Sequence, residues 1–193
     1  MHTIRPVNLT DIPALHAIYA QYISTNISFE YSLPSLEAYT HKIETIKASF
    51  PYLVLEKKGR IIGFAYAQRV RERAAYQWSA ELSIYLSPEQ TASGLGSALY
   101  LTLMSLLELQ GIRTVYGVIT EGNPISLRFH EKLGFSLFAT FPKVGYKNGS
   151  WLDVYWVQKE IGTYDVPSPV INFSNLDPAL VQEVLNKANA QQN

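Results

Sequence analysis

The sequence predicts an α/β fold: a mixed, twisted sheet of about six to seven strands flanked by about four helices, with a C-terminal extension. Three observations carry this expectation. From Ser79 to Gln110 an alternating apolar run, Leu82 to Leu86, crosses a polar loop into a strongly apolar segment that starts at Gly94, which reads as strand, loop, helix. After Gly111 a second apolar run, Arg113 to Ile119, returns to the sheet, and a helix crossing between two strands makes them parallel. Finally, Tyr52 to Glu56 and Arg60 to Gln68 flank Lys58-Gly59 as an antiparallel hairpin. Parallel and antiparallel pairs together make the sheet mixed.

The remaining elements follow in order. Thr3 to Val7 is a short extended run, and Thr10-Asp11 before Pro13 supplies a cap and an early-turn proline for a helix to about Tyr22. Residues 26–34, N-I-S-F-E-Y-S-L-P, are too broken for a helix and unusually aromatic for a loop, so Phe29, Glu30 and Tyr31 are candidates to line a site. Ser35 caps a second helix to about Ala48, with Leu36, Tyr39, Ile43 and Ile46 inward. Pro124 and Gly134 bracket a further helix on which Asn123, Ser126 and His130 share one face, since they lie three and four residues apart. Phe135 to Phe141 reads as a strand, Pro142 to Ser150 as a loop, and Trp151 to Lys159 as the last strand. The domain should span residues 1–161, with 162–193 an extension in which Asp177-Pro178 opens a short helix to about Ala190.

Composition narrows the chemistry. The 193 residues are 47% hydrophobic, enough for one substantial core. Lys plus Arg equals Asp plus Glu at 16 each, so no global field draws nucleic acid or an anionic membrane, and any anionic ligand must be held locally. With no cysteine and four scattered histidines, neither thiolate chemistry nor a metal site is expected. No apolar run resembles a signal peptide or a membrane span, so a cytosolic protein is expected.

The glycine loop carries the first functional signal. Gly94 and Gly96 lack a Cβ, which lets a ligand approach the amides of a helix's first turn, where the helix dipole favours an anion. A phosphate-binding loop for ATP needs Gly-Lys-Ser/Thr, and no Lys follows Gly96; a dinucleotide fingerprint needs a third glycine where Leu99 stands. What remains is G-x-G followed by the small residues Ser97 and Ala98, which suits the pyrophosphate of coenzyme A, the bland alternative being a tight turn before a core helix. Upstream, residues 69–78, R-V-R-E-R-A-A-Y-Q-W, offer Arg71 or Arg73 as a bidentate clamp for a carboxylate, or a solvated hairpin end.

Several blocks in sequence raise the specificity of this signal. F-A-Y-A at 64–67, R-x-x-A-Y-x-W-x-x-E ending at Glu81, G-L-G-S-A-L-Y at 94–100, N-x-x-S-x-x-x-H-x-x-L-G-F at 123–135 and G-Y-K-x-G-x-W-x-D-V at 145–154 resemble the GNAT superfamily of N-acetyltransferases. Within it they are similar to the phosphinothricin and methionine sulfone acetyltransferases, over residues 3 to about 160. The resemblance implies the GNAT fold and acetyl-CoA as the acetyl donor. It places the pyrophosphate on the amides of Ala92, Ser93, Gly94, Leu95, Gly96 and Ser97, the pantetheine arm along the backbone of Ile84, Tyr85 and Leu86, and Asn123 and Ser126 beside the cofactor. It also implies that Glu81 deprotonates the amine, that Arg73 and Tyr76 contact the acceptor, and that His130 stands where many relatives carry a tyrosine acid.

Two positions depart from the pattern. Thr91-Ala92-Ser93 has no cation where the family usually carries Gln or Arg, which removes a charge-assisted hydrogen bond worth ~1.5–3 kcal/mol from the pyrophosphate. Leu152 stands where the phosphinothricin enzymes carry His, as on the methionine sulfone side.

The residues allow a direct-attack mechanism. Only a neutral amine attacks a thioester, so a base is needed, and Glu81, shielded by Trp78 and Tyr85, is expected to have a raised pKa. A backbone N–H near Ile84 or Tyr85 would meet the oxyanion. The acceptor expected is a small amino acid or analogue, its carboxylate on Arg73 and its side chain walled by Phe29, Glu30, Tyr76 and Trp151, in a protein that works as a homodimer. The alternatives are a non-catalytic acyl-CoA sensor, favoured by Thr91-Ala92-Ser93, and a protein or peptide N-acetyltransferase, which needs an open groove.

Overall fold

A computed structural model describes residues 2–90 and 94–191. Seven strands form one sheet: β1 (His2–Pro6), β2 (Tyr52–Lys57), β3 (Arg60–Arg69), β4 (Ser79–Leu86), β5 (Thr114–Thr120), β6 (Ser136–Lys147) and β7 (Ser150–Glu160). Their order is β1-β2-β3-β4-β5-β7-β6, and only β4 and β5 run parallel. Helices α1 (Ile12–Ala20), α2 (Leu36–Ser49), α3 (Leu95–Gln110), α4 (Pro124–Lys132) and α5 (Pro178–Ala190) surround it. Among the described residues no helix is long and apolar enough to cross a membrane.

The strand alternation decides which helix covers which face. Phe64, Tyr66 and Tyr85 project towards α1 and α2, where their rings stack with Tyr19, Tyr39 and Tyr52 through centroid separations of 4.9 to 6.5 Å. Ile84 and Leu86 project the other way, against the start of α3 at Gly96. That helix is apolar on most of its circumference because the sheet lies on one side and α5 on another, and Leu99, Tyr100, Leu103, Leu106 and Leu107 are fully buried.

Caps explain the helix boundaries. The Ser35 hydroxyl accepts from the Ala38 amide at 3.1 Å, and the Asn123 carboxamide from the Ser126 amide at 3.1 Å. Gly94 and Gly111 bound α3 with φ of 75° and 95°, left-handed values that any side chain would make costly.

Two expectations need correction. The helix expected to reach Tyr22 ends at Ala20 and passes into turns. The stretch from Pro142 to Ser150, expected as a loop, is mostly strand: β6 runs on to Lys147, with register shifts at Leu137/Ala139 and Phe141/Gly145 that absorb Pro142 and Gly145. The true turn is Asn148-Gly149, with φ of 49° and 82°, a pair of left-handed residues that matches the twist of a two-residue hairpin.

The segment after Gly162 is laid back across the domain. The Ile171 amide donates to the Gln110 carbonyl at 3.0 Å, and Leu185 of α5 is buried in the main core. At the open edge of the sheet, Asn189 Oδ1 accepts from the Ile4 amide at 2.7 Å while its Nδ2 donates to the Ile4 carbonyl at 3.1 Å. One side chain thus satisfies both backbone groups that Ile4 turns outward from this edge strand.

Candidate active site

The parallel pair at the centre of the sheet does not stay paired. Strands β4 and β5 are in register from Ser79/Thr114 to Leu82/Gly117 and then part, so Ser83–Leu86 and Val118–Thr120 diverge into a fork. A narrow cleft of about 70 Å³ lies in it, lined by Ser83, Ile84, Val118, Asn123, Ser126 and His130 among others. The fork lends unpaired main-chain groups to an extended ligand on β4. The carbonyl of Leu86 is already engaged, accepting from the Tyr22 hydroxyl.

Beyond the fork stands the start of α3. Among the described residues no side chain caps it, which leaves its first amides to an anion, and around Gly94 a Cβ would meet nothing within 4 Å. Gly96 has a different reason to be glycine: a Cβ there would approach Leu86 Cδ1 at 3.0 Å. Ala92 and Ser93, with Thr91, lie outside the described residues. The uncapped amides and the fork are what a coenzyme A pyrophosphate and pantetheine arm would require.

Glu81 sits one residue before the fork. Burial pushes its carboxyl above the ordinary carboxylate value, against the smaller opposing effects of a hydrogen bond from Gln68 and the charges of Lys42 and Arg71. The Gln68 carboxamide donates to Glu81 Oε1 at 3.0 Å from the neighbouring strand. The Tyr85 ring packs with Tyr19, Tyr22 and Phe64, and the Trp78 indole donates to the Ser168 carbonyl at 2.9 Å.

His130 is buried, 4% exposed, and both its ring nitrogens are occupied. Nδ1 lies 2.8 Å from the Ser126 carbonyl, which can only accept, so Nδ1 carries the proton and Nε2 accepts from the Tyr100 hydroxyl at 3.0 Å. Burial holds the imidazole below its ordinary pKa. The ring's one N–H is spent on a carbonyl and its other nitrogen accepts, an arrangement that suits a positioning role. Asn123 likewise spends its carboxamide oxygen on capping α4, leaving its nitrogen for a ligand.

The acceptor-side residues form two groups. In the first, four consecutive residues at the tip of the β6–β7 hairpin grip the aromatic loop. A Cβ on Gly145 would fall 2.3 Å from the Phe29 ring, and the Tyr146 carbonyl accepts from Tyr31. Lys147, 3% exposed, donates to the carbonyls of Ile23 and Thr25 at 2.7 Å each and to that of Ser28, while Asn148 donates to the Ser24 carbonyl at 3.2 Å and to Asn26 Oδ1 at 2.8 Å. Trp151 joins this tip through the Tyr146 ring at 5.3 Å and is 61% exposed. Glu30 is exposed on the same loop. The second group is the turn before β4, where exposed Arg73 precedes the short helical turn Ala74–Tyr76. Arg71, not Arg73, is the arginine whose charge acts on Glu81.

Gln68, Tyr100, Gly117 and Lys147 were not singled out by the sequence reading. Gly117 had a signal, a lone glycine inside a strand pattern, which marks close approach: a Cβ there would lie 2.7 Å from His130 Nε2. Lys147 had one too, inside the G-Y-K block, whereas Gln68 and Tyr100 read as ordinary strand and helix residues.

Comparison with known proteins agrees with this architecture. The family model described as an acetyltransferase (GNAT) domain matches residues 4–156. A phosphinothricin N-acetyltransferase of Streptomyces viridochromogenes is 35% identical over 86% of this chain and 90% of its own. An L-methionine sulfoximine/L-methionine sulfone acetyltransferase of Pseudomonas paraeruginosa is 28% identical over 81% and 92% respectively. The crystal structure of a phosphinothricin acetyltransferase from Sinorhizobium meliloti in complex with AcCoA superposes with a TM-score of 0.83 at 32% identity, covering 92% of this chain and 96% of that one. With the forked parallel pair, the uncapped helix and this similarity along most of its length, the chain belongs to the GNAT acetyltransferase family.

Proposed function

We propose that the protein moves an acetyl group from acetyl-CoA to the amine of a small amino acid or analogue of the phosphinothricin or methionine sulfone type, by direct attack. The observation that carries this reading is the position of Glu81, a half-buried carboxylate with raised proton affinity one residue before the β4–β5 fork. The named relatives and the acetyl-CoA complex of the neighbouring structure support it.

Acetyl-CoA, when bound, supplies an activated thioester. The amides at the start of α3 would hold its pyrophosphate, and the backbone of Ile84 and Tyr85 its pantetheine arm. Glu81 would take the proton from the acceptor's ammonium, for which a raised pKa is the better match at neutral pH. An N–H of the diverging strand near Ile84 or Tyr85 would donate to the carbonyl oxygen as negative charge gathers there. Release of the CoA thiolate, with a pKa near a free thiol's ~8.5, asks little of the protein. His130 acts through Tyr100, whose hydroxyl it holds at the wall of the cleft.

Arg73 would hold the acceptor's carboxylate in two parallel hydrogen bonds, with Tyr76 beside its side chain; Phe29, Glu30 and Trp151, at the hairpin tip across the sheet, lie too far from that turn to wall the same small molecule. The protein would work as a homodimer through the β6–β7 edge, where Leu137, Phe138, Phe141, Val144, Tyr146 and Trp151 expose apolar surface that a lone chain would leave in water. CoA-thiol release across free amino acids, methionine sulfone, methionine sulfoximine, phosphinothricin and N-terminal peptides tests the reading. Release with a small amino acid or analogue, abolished in Glu81→Gln, supports it. Tight acetyl-CoA binding without release on any amine, or release on peptides alone, defeats it.

A further inference from the structure

The face of the sheet that carries Glu81 continues past it. Side chains two apart on a strand share a face about 6.6 Å apart, so Ser79 lies one pleat below Glu81, as Thr114 lies below Tyr116 on the adjacent strand. At that level the surface opens into a cleft of about 320 Å³, within the ~300–1,000 Å³ range of small-ligand sites. Ser79 and Thr114 line its sheet side. Tyr76 and Trp78 form one wall, and Tyr164 and Pro167 of the C-terminal segment the other.

That second wall lies beyond residue 156, where the family match ends, and it is fastened rather than draped. The Tyr164 hydroxyl shares a hydrogen bond with Thr114 Oγ1 at 2.7 Å, and the Ser168 carbonyl accepts from the Trp78 indole at 2.9 Å. Just upstream, the Ile161 amide donates to the Arg113 carbonyl at 2.8 Å, and Gly162 is so close under the Arg113 side chain that a Cβ would stand 2.6 Å from its Cδ. Tyr76 and Tyr164 are nonetheless 48% and 65% exposed, so two aromatic rings, Tyr164 held through its hydroxyl, border the cleft with faces in water. Tyr76, Trp78, Tyr164 and Pro167 offer large, rigid apolar surfaces over a hydroxyl-bearing floor, which favour a flat or bulky apolar group among them.

We infer that this cleft is the side-chain pocket of the acceptor, and that it extends acceptance from the phosphinothricin and methionine sulfone type to α-amino acids with an aromatic or bulky apolar side chain. The inference rests on the acetyltransferase reading given above. One turn then serves both ends of the molecule: Arg73 presents a guanidinium for the carboxylate and Tyr76, three residues on, a wall for the side chain, while the amine points up the strand to Glu81. The C-terminal segment sets acceptor choice by supplying the outer wall.

Two variants with opposite steric effects test it, assayed against L-phenylalanine, L-tryptophan, methionine sulfone and phosphinothricin. Tyr164→Ala, which removes the wall, lowers kcat/KM for the aromatic acceptors relative to the small ones by about tenfold or more, and Tyr164→Phe, which keeps the ring, does so far less. Ala75→Trp, which fills the cleft, shifts the same ratio in the same direction. An equal loss on every acceptor, or an unchanged ratio in both variants, overturns the inference. Calorimetry separates its failure from that of the parent reading. L-phenylalanine binding to the CoA-loaded protein, lost in Tyr164→Ala, upholds the pocket even where no amine is acetylated, and no binding of either aromatic amino acid to the wild type overturns it. Should Tyr164→Ala fail to fold, the ratio in Ala75→Trp decides.

Discussion

The Tyr100 hydroxyl donates to Nε2 of His130 across 3.0 Å, joining α3 to α4 inside the protein behind the strand fork. The bond exists because Gly117 leaves room for the imidazole over β5. A Cβ at that position would stand 2.7 Å from Nε2, and neither the strand nor the close-packed helix can retreat.

Gly117→Ala should therefore push the imidazole away from Tyr100. Overpacking a well-packed interior costs ~1–3 kcal/mol, so the melting temperature falls, and kcat falls with it as Tyr100 loses its fixed partner. Thermal unfolding and steady-state kinetics check both, and an alanine variant with wild-type kcat would show that the pair has no part in turnover.

Glu81 and Gln68 set the acid limb of the pH profile. A carboxyl raised by burial is ionised, and so able to accept a proton, only above the ordinary carboxylate range. The Gln68 hydrogen bond favours the ionised form, so Gln68→Leu moves the acid limb of kcat further up, while Glu81→Gln removes at least about 10²-fold of kcat and leaves acetyl-CoA binding almost intact. A limb that stays in place in Gln68→Leu argues against Glu81 as the titrating base.

Stability should also fall on the acid side of pH 6.5. Burial depresses the His130 pKa, so below pH 6.5 the unfolded chain takes up a proton that the folded one refuses. Stability is thus at its full value above pH 6.5 and declines as pH drops through the folded value. Urea titrations from pH 7.5 to pH 5, scaled to the reference imidazole pKa of about 6.5, should show a shallower decline in His130→Gln.

Lys147 ties the hairpin tip to the aromatic loop through three carbonyls. Lys147→Met would leave those carbonyls without their cation at a cost on the order of 3 kcal/mol, since buried groups left unpaired lose about 1–3 kcal/mol each. Because the loop sits at the hairpin tip, away from Arg73 and Tyr76, thermal unfolding should show the loss while KM for the acceptor stays within a few-fold. A large rise in acceptor KM at unchanged stability would bring the loop into the acceptor site.

Arg73→Ala should raise the acceptor KM by roughly 10- to 100-fold, the range for losing a charge-assisted hydrogen bond of ~1.5–3 kcal/mol. The comparison that matters is Arg71→Ala, because Arg71 is the arginine whose charge reaches Glu81. A larger effect at Arg71 would move the carboxylate clamp by two residues.

Much of the frame is legible in the sequence because its causes are local. Ser35, Asn123 and Asp177 cap helices with their own side chains, Gly94 and Gly111 adopt backbone values that other residues avoid, and the apolar periodicity marks β4, α3 and β5. The hairpin tip was misread because Pro142 and Gly145 are loop residues in isolation, and only pairing with β7 makes them bulges in a strand.

What the sequence by itself determined is the order of elements, the glycine-led helix, the family blocks and the identity of Glu81 as the carboxylate of the central strand. Tertiary structure alone decided which groups meet. It set the His130 imidazole against the Tyr100 hydroxyl, placed the Gln68 carboxamide on Glu81, buried Lys147 among carbonyls, and brought Tyr164 and Tyr76 to one cleft. The physical reason is range: caps and turns are settled by neighbours a few residues away, whereas proton affinity and pocket shape depend on contacts between segments tens of residues apart, which exist only after the sheet has assembled.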